Sequence, residues 1–391
     1  MSIVTCIAPV NIAVIKYWGK RDENLILPVN DSISATLDTE HLCARTTIMA
    51  SPEFKEDRIW LNGKEQSINN KRLQNCLIGM RKRAQISNDM ECWKIHICSE
   101  NNFPTAAGLA SSAAGYACLV AALAKLYKVE GDISAVARSG SGSACRSMMG
   151  GFVRWHMGSD PKGSDSLAKQ IVSPSHWPEM RVLVLVVNDG RKKVSSALGM
   201  KRSIETSELL KYRAEHVVPR RANEMNEAIL QKNFEKFAEL TIKDSNQMHA
   251  VCQDTYPPCH YMNDVSFTLV NLAHSYNSAA NEIKVAYTCD AGPNVTVYIL
   301  EKNVAEFISI LDFYIPPADD LTVEYRKGIP IQLISPKQDL IEKINLEKQV
   351  PGLLKYIIHT RVGDGPKYLS DQKDHLLDTK MGLPIRSLTH Q

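Results

Sequence analysis

The sequence contains no apolar run near the roughly 20 residues that a membrane-spanning helix needs, and its first residues show no basic segment leading into a secretory apolar stretch. No membrane partner is expected, and a cytoplasmic location is. It also lacks an excess of either charge: 46 Lys and Arg stand against 43 Asp and Glu, a net +3 at pH 7. A nucleic-acid partner is therefore not expected, and any anion site must be local. The ten cysteines include no C-x-x-C pair, which argues against a zinc cage or a disulfide framework. The eleven histidines show neither H-x-x-x-H nor H-E-x-x-H spacing, so no protein-bound catalytic metal is expected. A metal brought in by a nucleotide stays open.

What is present is enough chain for two packed domains: 391 residues, 44% of them hydrophobic. The patterning predicts an α+β protein. In the first part, Ile3–Ile7, Ser32–Leu37, Arg45–Met49 and Ile59–Leu61 read as strands, and Asn62-Gly63 as a hairpin turn. Helical spacing over Arg72–Ala84 puts Leu73, Cys76, Leu77 and Met80 on one face; Lys94–Cys98 then alternates as a strand. A helix over Ser111–Tyr127, rich in Ala and Leu around much of its circumference, is expected to be deeply buried. Val182–Val187 reads as a buried strand, followed by helices at Val218–Leu230, Asn233–Ile242 and Val265–Ser278. Strands at Ile283–Thr288 and Val295–Leu300 and a helix at Val304–Leu311 come next. The change of pattern places the domain boundary near Arg191. An N-terminal mixed α/β domain over 1–190 and a helix-rich C-terminal α/β domain over 191–391 follow, with the tail free to pack back on the first.

Between the strand at Lys94 and the helix at Ser111 lies Asn102-Phe-Pro104-Thr-Ala106-Ala107-Gly108-Leu109-Ala110-Ser111-Ser112-Ala-Ala-Gly115. Small residues let backbone N–H groups approach an anion closely, and the helix start favours negative charge. Ser111 and Ser112 add hydroxyls. No Gly-Lys-Ser/Thr follows, so this is not a Walker A loop, nor is it a G-x-G-x-x-G fingerprint. A serine-capped, close-packed helix start explains the pattern equally well.

Three charged residues stand in small or apolar surroundings. Lys16 follows the apolar run Val10–Ile15 and precedes Tyr17 and Trp18, so it is either partly desolvated and paired with an anion or a surface lysine that snorkels. Arg146 sits in Gly140-Ser-Gly-Ser143-Ala-Cys-Arg146-Ser, where its planar fork suits a carboxylate or phosphate unless the segment is a flexible loop. Asp290 lies in Tyr287-Thr-Cys-Asp290-Ala-Gly-Pro-Asn294, as a turn residue bonded to its own backbone or as a carboxylate that receives a substrate hydroxyl.

Together these stretches resemble the eukaryotic diphosphomevalonate decarboxylases, of the superfamily named for galactose, homoserine, mevalonate and phosphomevalonate kinases. The resemblance runs from APVNIAVIKYWGKRD at Ala8 through NNFPTAAGLASSAAG, GSGSACRS, RSIETSELL at Arg202, DSNQ at Asp244, TYPP at Thr255 and YTCDAGPNV to HLLD at His375 and GLP at Gly382. It implies the two-domain small-molecule-kinase fold, a homodimer, and use of ATP with Mg²⁺ to convert mevalonate 5-diphosphate into isopentenyl diphosphate, ADP, phosphate and CO₂. It assigns catalysis to Asp290, Arg146, Lys16 and Ser112. Substrate binding falls to Tyr17, Trp18, Gly19, Lys20, Arg72, Ser141, Gly142, Ser143, Ala144, Cys145, Arg146, Ser196 and Ala197. Pro104, Ala106, Ala107, Gly108, Leu109, Ala110, Ser111 and Ser112 would hold the ATP phosphates, with Asn62 and the surroundings of Ser99 as candidates for the adenine.

Three positions depart from the commoner pattern of that family: Asp31 where serine is more frequent, Ala197 where threonine is usual, and Asp364 where proline is typical. Ala197 removes one hydroxyl contact, which bears on affinity rather than reaction type. Two rival readings are a kinase of the same superfamily that stops after phosphoryl transfer and a non-catalytic protein that keeps the fold.

Overall fold

Alternation of apolar residues in the first half builds two sheets, which a computed structural model of the chain describes for residues 1–86, 90, 92–103, 111–187, 193–319 and 324–385. The larger sheet has six strands in the order Lys367–Leu369, Ser2–Pro9, Cys43–Ser51, Lys94–Asn101, Arg58–Leu61 and Lys64–Gln66. Its hairpin turns at Asn62 and Gly63, both with positive φ (48° and 77°), as the Asn-Gly pair implies. The second sheet orders Ala168–Val172, Phe152–Trp155, Ser32–Thr36 and Asn11–Ile15. The run Asn11–Ile15 is buried at every position, which is why it reads as continuously apolar.

The Ala-rich helix Ser111–Leu126 packs on the strands Ser2–Pro9 and Cys43–Ser51. Its small side chains let the Cys118 thiol reach the Cys6 and Ala44 carbonyls at 3.0 and 3.4 Å. All ten cysteines are free thiols and most are buried. Helix Lys71–Arg81 buries the four residues expected of it and is capped by the Asn70 side chain. It stops short of the expected Ala84, because Arg83 and Ala84 close turns onto Met80 and Arg81 instead of continuing the helix.

A third sheet orders Val285–Cys289, Val295–Leu300, Met180–Val186, Tyr356–Arg361 and Arg326–Gly328. Residue Arg191, where the sequence pattern changes, lies outside the described residues. The strand Met180–Val186 ahead of it is bonded on both sides to strands from the C-terminal half. Helix Phe234–Asp254 is longer than the periodicity suggested, since Met248, Val251 and Cys252 continue its buried face. It packs on both Val285–Cys289 and Asn11–Ile15, and so joins the third sheet to the second. The tail returns to the first sheet through Lys367–Leu369, which pairs with Ser2–Pro9, and through the His375 ring at 2.8 Å from the Thr5 hydroxyl.

Candidate active site

The junction of the second and third sheets brings Lys16 and Asp290 together. Lys16 follows the strand Asn11–Ile15, and Asp290 follows Val285–Cys289. The Lys16 ammonium donates to Asp290 Oδ1 at 2.5 Å, with the lysine side chain 3% and the aspartate 28% exposed. Lys16 is thus not a snorkelling surface residue, and the Asp290 carboxylate is bonded across domains rather than folded onto its own turn.

Arg146 enters from the 3₁₀ segment Gly142–Met148. Its Nε donates to the Ser34 hydroxyl at 2.9 Å and its Nη1 to the Ser32 hydroxyl at 2.6 Å, and the guanidinium lies over the Trp155 ring at 5.9 Å. Burial pulls its pKa below the ordinary guanidinium value, against which the negative charge of Asp290 acts. The bonds to Ser32 and Ser34 are to neutral groups and leave the positive charge available to a ligand carboxylate.

Tyr17 packs its ring at 4.8 Å from Trp155, and its buried hydroxyl has no hydrogen-bond partner among the described residues. Gly142 lies against that ring so closely that a Cβ would stand 2.8 Å from Tyr17 Cε1. The Asn11 amide donates to Ser143 O at 3.0 Å and Ser147 Oγ at 2.7 Å, and its carbonyl oxygen is buried and unpaired among the described residues. Asn11, Lys16, Tyr17, Trp18, Lys20, Arg72, Ser111, Ser112, Ser141, Gly142, Ser143, Arg146, Ser196, Ala197 and Asp290 all line one cavity of about 170 Å³. Among the described residues its charged lining is Lys16, Lys20, Arg72 and Arg146 against Asp290, so it favours a ligand with several negative charges. Lys20 also meets Glu23 at 2.6 Å.

Three expected substrate-binding residues lie off this lining. Gly19, with φ +99°, is enclosed by Val29, Ile204 and Leu210. Ala144 and Cys145 are fully buried, and the Cys145 thiol is turned to Gly142 O at 3.0 Å. For the last two the reason is local: residues three apart eclipse in a 3₁₀ turn, so Ser143 and Arg146 share the face that reaches the cavity while the two residues between them pack inward. Trp18 contributes an edge to the lining but is chiefly anchored, its indole N–H donating to Ser203 Oγ at 2.9 Å.

A second cavity, of about 540 Å³, opens beside the first. Ile59, Leu61, Leu73, Ile97 and Leu119 give it apolar walls, and Asn62, Ser99 and Glu100 give it polar groups. Asn62 is fixed there, its N–H donating to Ser99 O at 2.8 Å and its Oδ1 accepting from Asn101 N–H at 3.1 Å. Ser111 and Ser112, the first residues of the buried helix, border both cavities, and the Ser112 hydroxyl stands 3.3 Å from that of Ser141. The expected phosphate-binding residues Pro104, Ala106, Ala107, Gly108, Leu109 and Ala110 lie outside the described residues.

Asn11, Ser32 and Ser34 escaped the sequence reading. The Ser-x-Ser alternation over Ser32–Ser34 put both hydroxyls on one face of a strand, a signal present in the sequence. Asn11 had only its isolation inside an apolar run to mark it. His249 beside the pair was missed too: its Nε2 lies 3.2 Å from Cys289 O, and burial, then the Lys16 charge, push its pKa down to about 4.

The fold and the paired cavities define a two-domain α+β enzyme with room for a polyanionic small molecule beside a larger, partly apolar ligand. Comparison makes this particular. The N-terminal domain of diphosphomevalonate decarboxylase-like proteins matches residues 8–168, and the C-terminal domain of mevalonate 5-diphosphate decarboxylases matches 182–369. The diphosphomevalonate decarboxylase of Danio rerio is 52% identical over 398 residues, covering 99% of this chain and 98% of its own. An X-ray crystal structure of mevalonate 5-diphosphate decarboxylase aligns with a TM-score of 0.83 at 43% identity, over 98% of this chain and 100% of its own. A structure of MDDEF in complex with MVAPP, AMPPCP and magnesium aligns at 0.72 with 31% identity, over 94% and 99%. The chain belongs to the diphosphomevalonate decarboxylase family of carboxy-lyases. Among the described residues, no helix is long and apolar enough to cross a membrane.

Proposed function

We propose that the protein converts (R)-mevalonate 5-diphosphate and ATP into isopentenyl diphosphate, ADP, phosphate and CO₂, in the mevalonate route to isoprenoids and sterols. The observation that carries this reading is the Lys16–Asp290 pair sharing with Arg146 a cavity whose other charged lining residues, Lys20 and Arg72, are cations. A tertiary alcohol is a poor leaving group, so the 3-hydroxyl is first phosphorylated. Asp290 receives or orients the hydroxyl hydrogen while Lys16 holds the carboxylate in place. The C3–O bond then breaks with its electron pair leaving on phosphate, the bond to the carboxylate breaks, and that pair forms the alkene as CO₂ departs. Asp290 faces the carbon that becomes electron-poor.

Arg146, held by Ser32 and Ser34, takes the substrate carboxylate; Lys20, Arg72, Tyr17 and Ser141–Ser143 receive the diphosphate, with Ser196 and Ala197 at the rim. ATP occupies the second cavity with its terminal phosphates at Ser111 and Ser112 and along Pro104–Ala110, and its base near Asn62 and Ser99. The residues at the junction suit a magnesium ion brought with the triphosphate, since hydroxyls and phosphate oxygens are hard ligands. When bound, the ion neutralises phosphate charge during transfer.

The test follows ADP and CO₂ together after mixing with mevalonate diphosphate and Mg-ATP. Equal release is expected. ADP alone would make the protein a kinase, and neither product would make it a non-catalytic relative. We further propose a cytoplasmic homodimer, for which sedimentation should give twice the chain mass.

A further inference from the structure

Behind the Lys16–Asp290 pair lies a second ion pair that touches neither cavity. Arg213 and Asp244 are both fully buried, joined by two parallel bonds: Nη1 to Oδ2 at 2.9 Å and Nη2 to Oδ1 at 2.8 Å. The same atoms that face each other also grip the backbone of Lys16. Its N–H donates to Asp244 Oδ1 at 2.8 Å, and its carbonyl accepts from Arg213 Nη2 at 3.3 Å. Asn30 Nδ2 adds a bond to that carbonyl at 3.1 Å, and Gln247 orients Arg213 by accepting from Nη1 at 2.7 Å. Arg213 reaches inward from a single π-helical turn, Arg213–Val217, a local departure from the α-helix that sets its side-chain direction.

A buried ion pair contributes little net stability compared with apolar packing of the same volume. It does fix direction. Here both backbone hydrogen-bonding groups of one residue are held by a pair from the C-terminal helices, although that residue directly follows a strand of the N-terminal half. Lys16 must then extend its side chain to Asp290, which follows the strand Val285–Cys289 of the third sheet. We infer that Arg213 and Asp244 are positioning residues, which hold the Lys16 backbone so that its ammonium meets Asp290 across the junction of the two sheets. The catalytic consequence rests on the function proposed above; the geometric one does not.

Asp244→Glu tests this, because the longer carboxylate keeps its charge for Arg213 while moving the acceptor away from the Lys16 N–H. The expected result is kcat lowered by up to about 10²-fold, as for a misplaced reacting group, with KM for both substrates within about threefold and a near-normal melting temperature. Trace labelling with acetic anhydride, read by mass spectrometry, gives a second readout that needs no turnover. Lys16, 2% exposed, should label several-fold faster in the variant while other lysines do not change. If Asp244→Glu does not fold, Gln247→Met removes an orienting acceptor and leaves both charges, and should show the same two effects more weakly. Wild-type kcat together with wild-type Lys16 protection in a folded variant would overturn the inference. An inactive wild-type protein whose Lys16 still becomes exposed in the variant would overturn the functional reading and keep the positioning role.

Discussion

Lys16 and Asp290 meet at 2.5 Å although they follow strands of different sheets and stand 274 residues apart in the chain. The pair closes the junction between the two halves beside the cavity that both residues line. Asp290→Asn keeps the shape and removes the charge. Turnover should fall by roughly 10² to 10⁴-fold, the range for a positioned acid–base group, with KM for mevalonate diphosphate nearly unchanged, as for an interaction made in the transition state. Steady-state ADP release checks this, and near-normal kcat would remove Asp290 from its role.

For Arg146 the fork shape matters as much as the charge. Its Nε and Nη1 are committed to Ser34 and Ser32, so the rest of the guanidinium has one orientation. Lysine keeps the charge but cannot bond both serines and a ligand carboxylate together. Arg146→Lys should lower kcat/KM by about ten- to a hundredfold, corresponding to about 1.5 to 3 kcal/mol for a hydrogen bond to a charged group. Recovery of full kcat/KM in the lysine variant would show that the fork is not used.

These residues were legible in the sequence for different reasons. Lys16 and Arg146 stood out because a charge sat where apolar or small neighbours predicted burial, and both are 2% exposed. Asp290 was ambiguous alone, since a turn aspartate usually bonds its own backbone; only its convergence with Lys16 separates the two cases. Arg213 and Asp244 could not be read at all as site supports. Asp244 sits on a helix of ordinary periodicity and Arg213 on a π-helical turn that no sequence spacing announces, and their bonds to Lys16 join residues far apart in the chain. Gly19, Ala144 and Cys145 lie off the cavity lining although they adjoin lining residues in sequence, because adjacency says nothing of which side of a turn a residue faces. The elements themselves were read well where periodicity was strong. Their ends moved where capping or a continued buried face decided them, as at Arg81 and Asp254.

Gly142 is required for space rather than for backbone freedom. A methyl group there would come within 2.8 to 2.9 Å of three Tyr17 atoms, and Trp155 lies behind the ring at 4.8 Å. Tyr17 can give way only toward the cavity. Gly142→Ala should therefore raise KM for mevalonate diphosphate about tenfold or more, and the overpacking should cost about 1 to 3 kcal/mol of stability. Substrate titration and a thermal melt check both parts. Unchanged KM would mean that the ring moves freely.

Ala197 offers a gain rather than a loss. It is half-buried in the first turn of the helix Ser196–Thr206 and lines the cavity proposed for the substrate. Ala197→Thr should lower KM for mevalonate diphosphate by up to about tenfold with kcat unchanged, because one neutral hydrogen bond contributes about 0.5 to 1.5 kcal/mol. A KM that stays the same or rises would show that the substrate does not reach this rim.

His249 makes acid stability a reporter of the same junction. Burial, then the Lys16 charge, depress its pKa from 6.5 to about 4, although the Cys289 carbonyl and Asp290 act the other way. Between those two values the unfolded chain binds a proton at this ring that the folded protein does not, so stability falls as the solution is acidified. The contribution is fully present above pH 6.5 and is lost progressively toward about pH 4. His249→Gln keeps a side-chain donor for the Cys289 carbonyl but has no titrating ring. Urea unfolding from pH 7 to pH 4 should show the wild-type protein losing more stability than the variant, by at most about 3 kcal/mol. Parallel curves would mean that His249 titrates alike in both states and that the Lys16 charge is not felt at the ring.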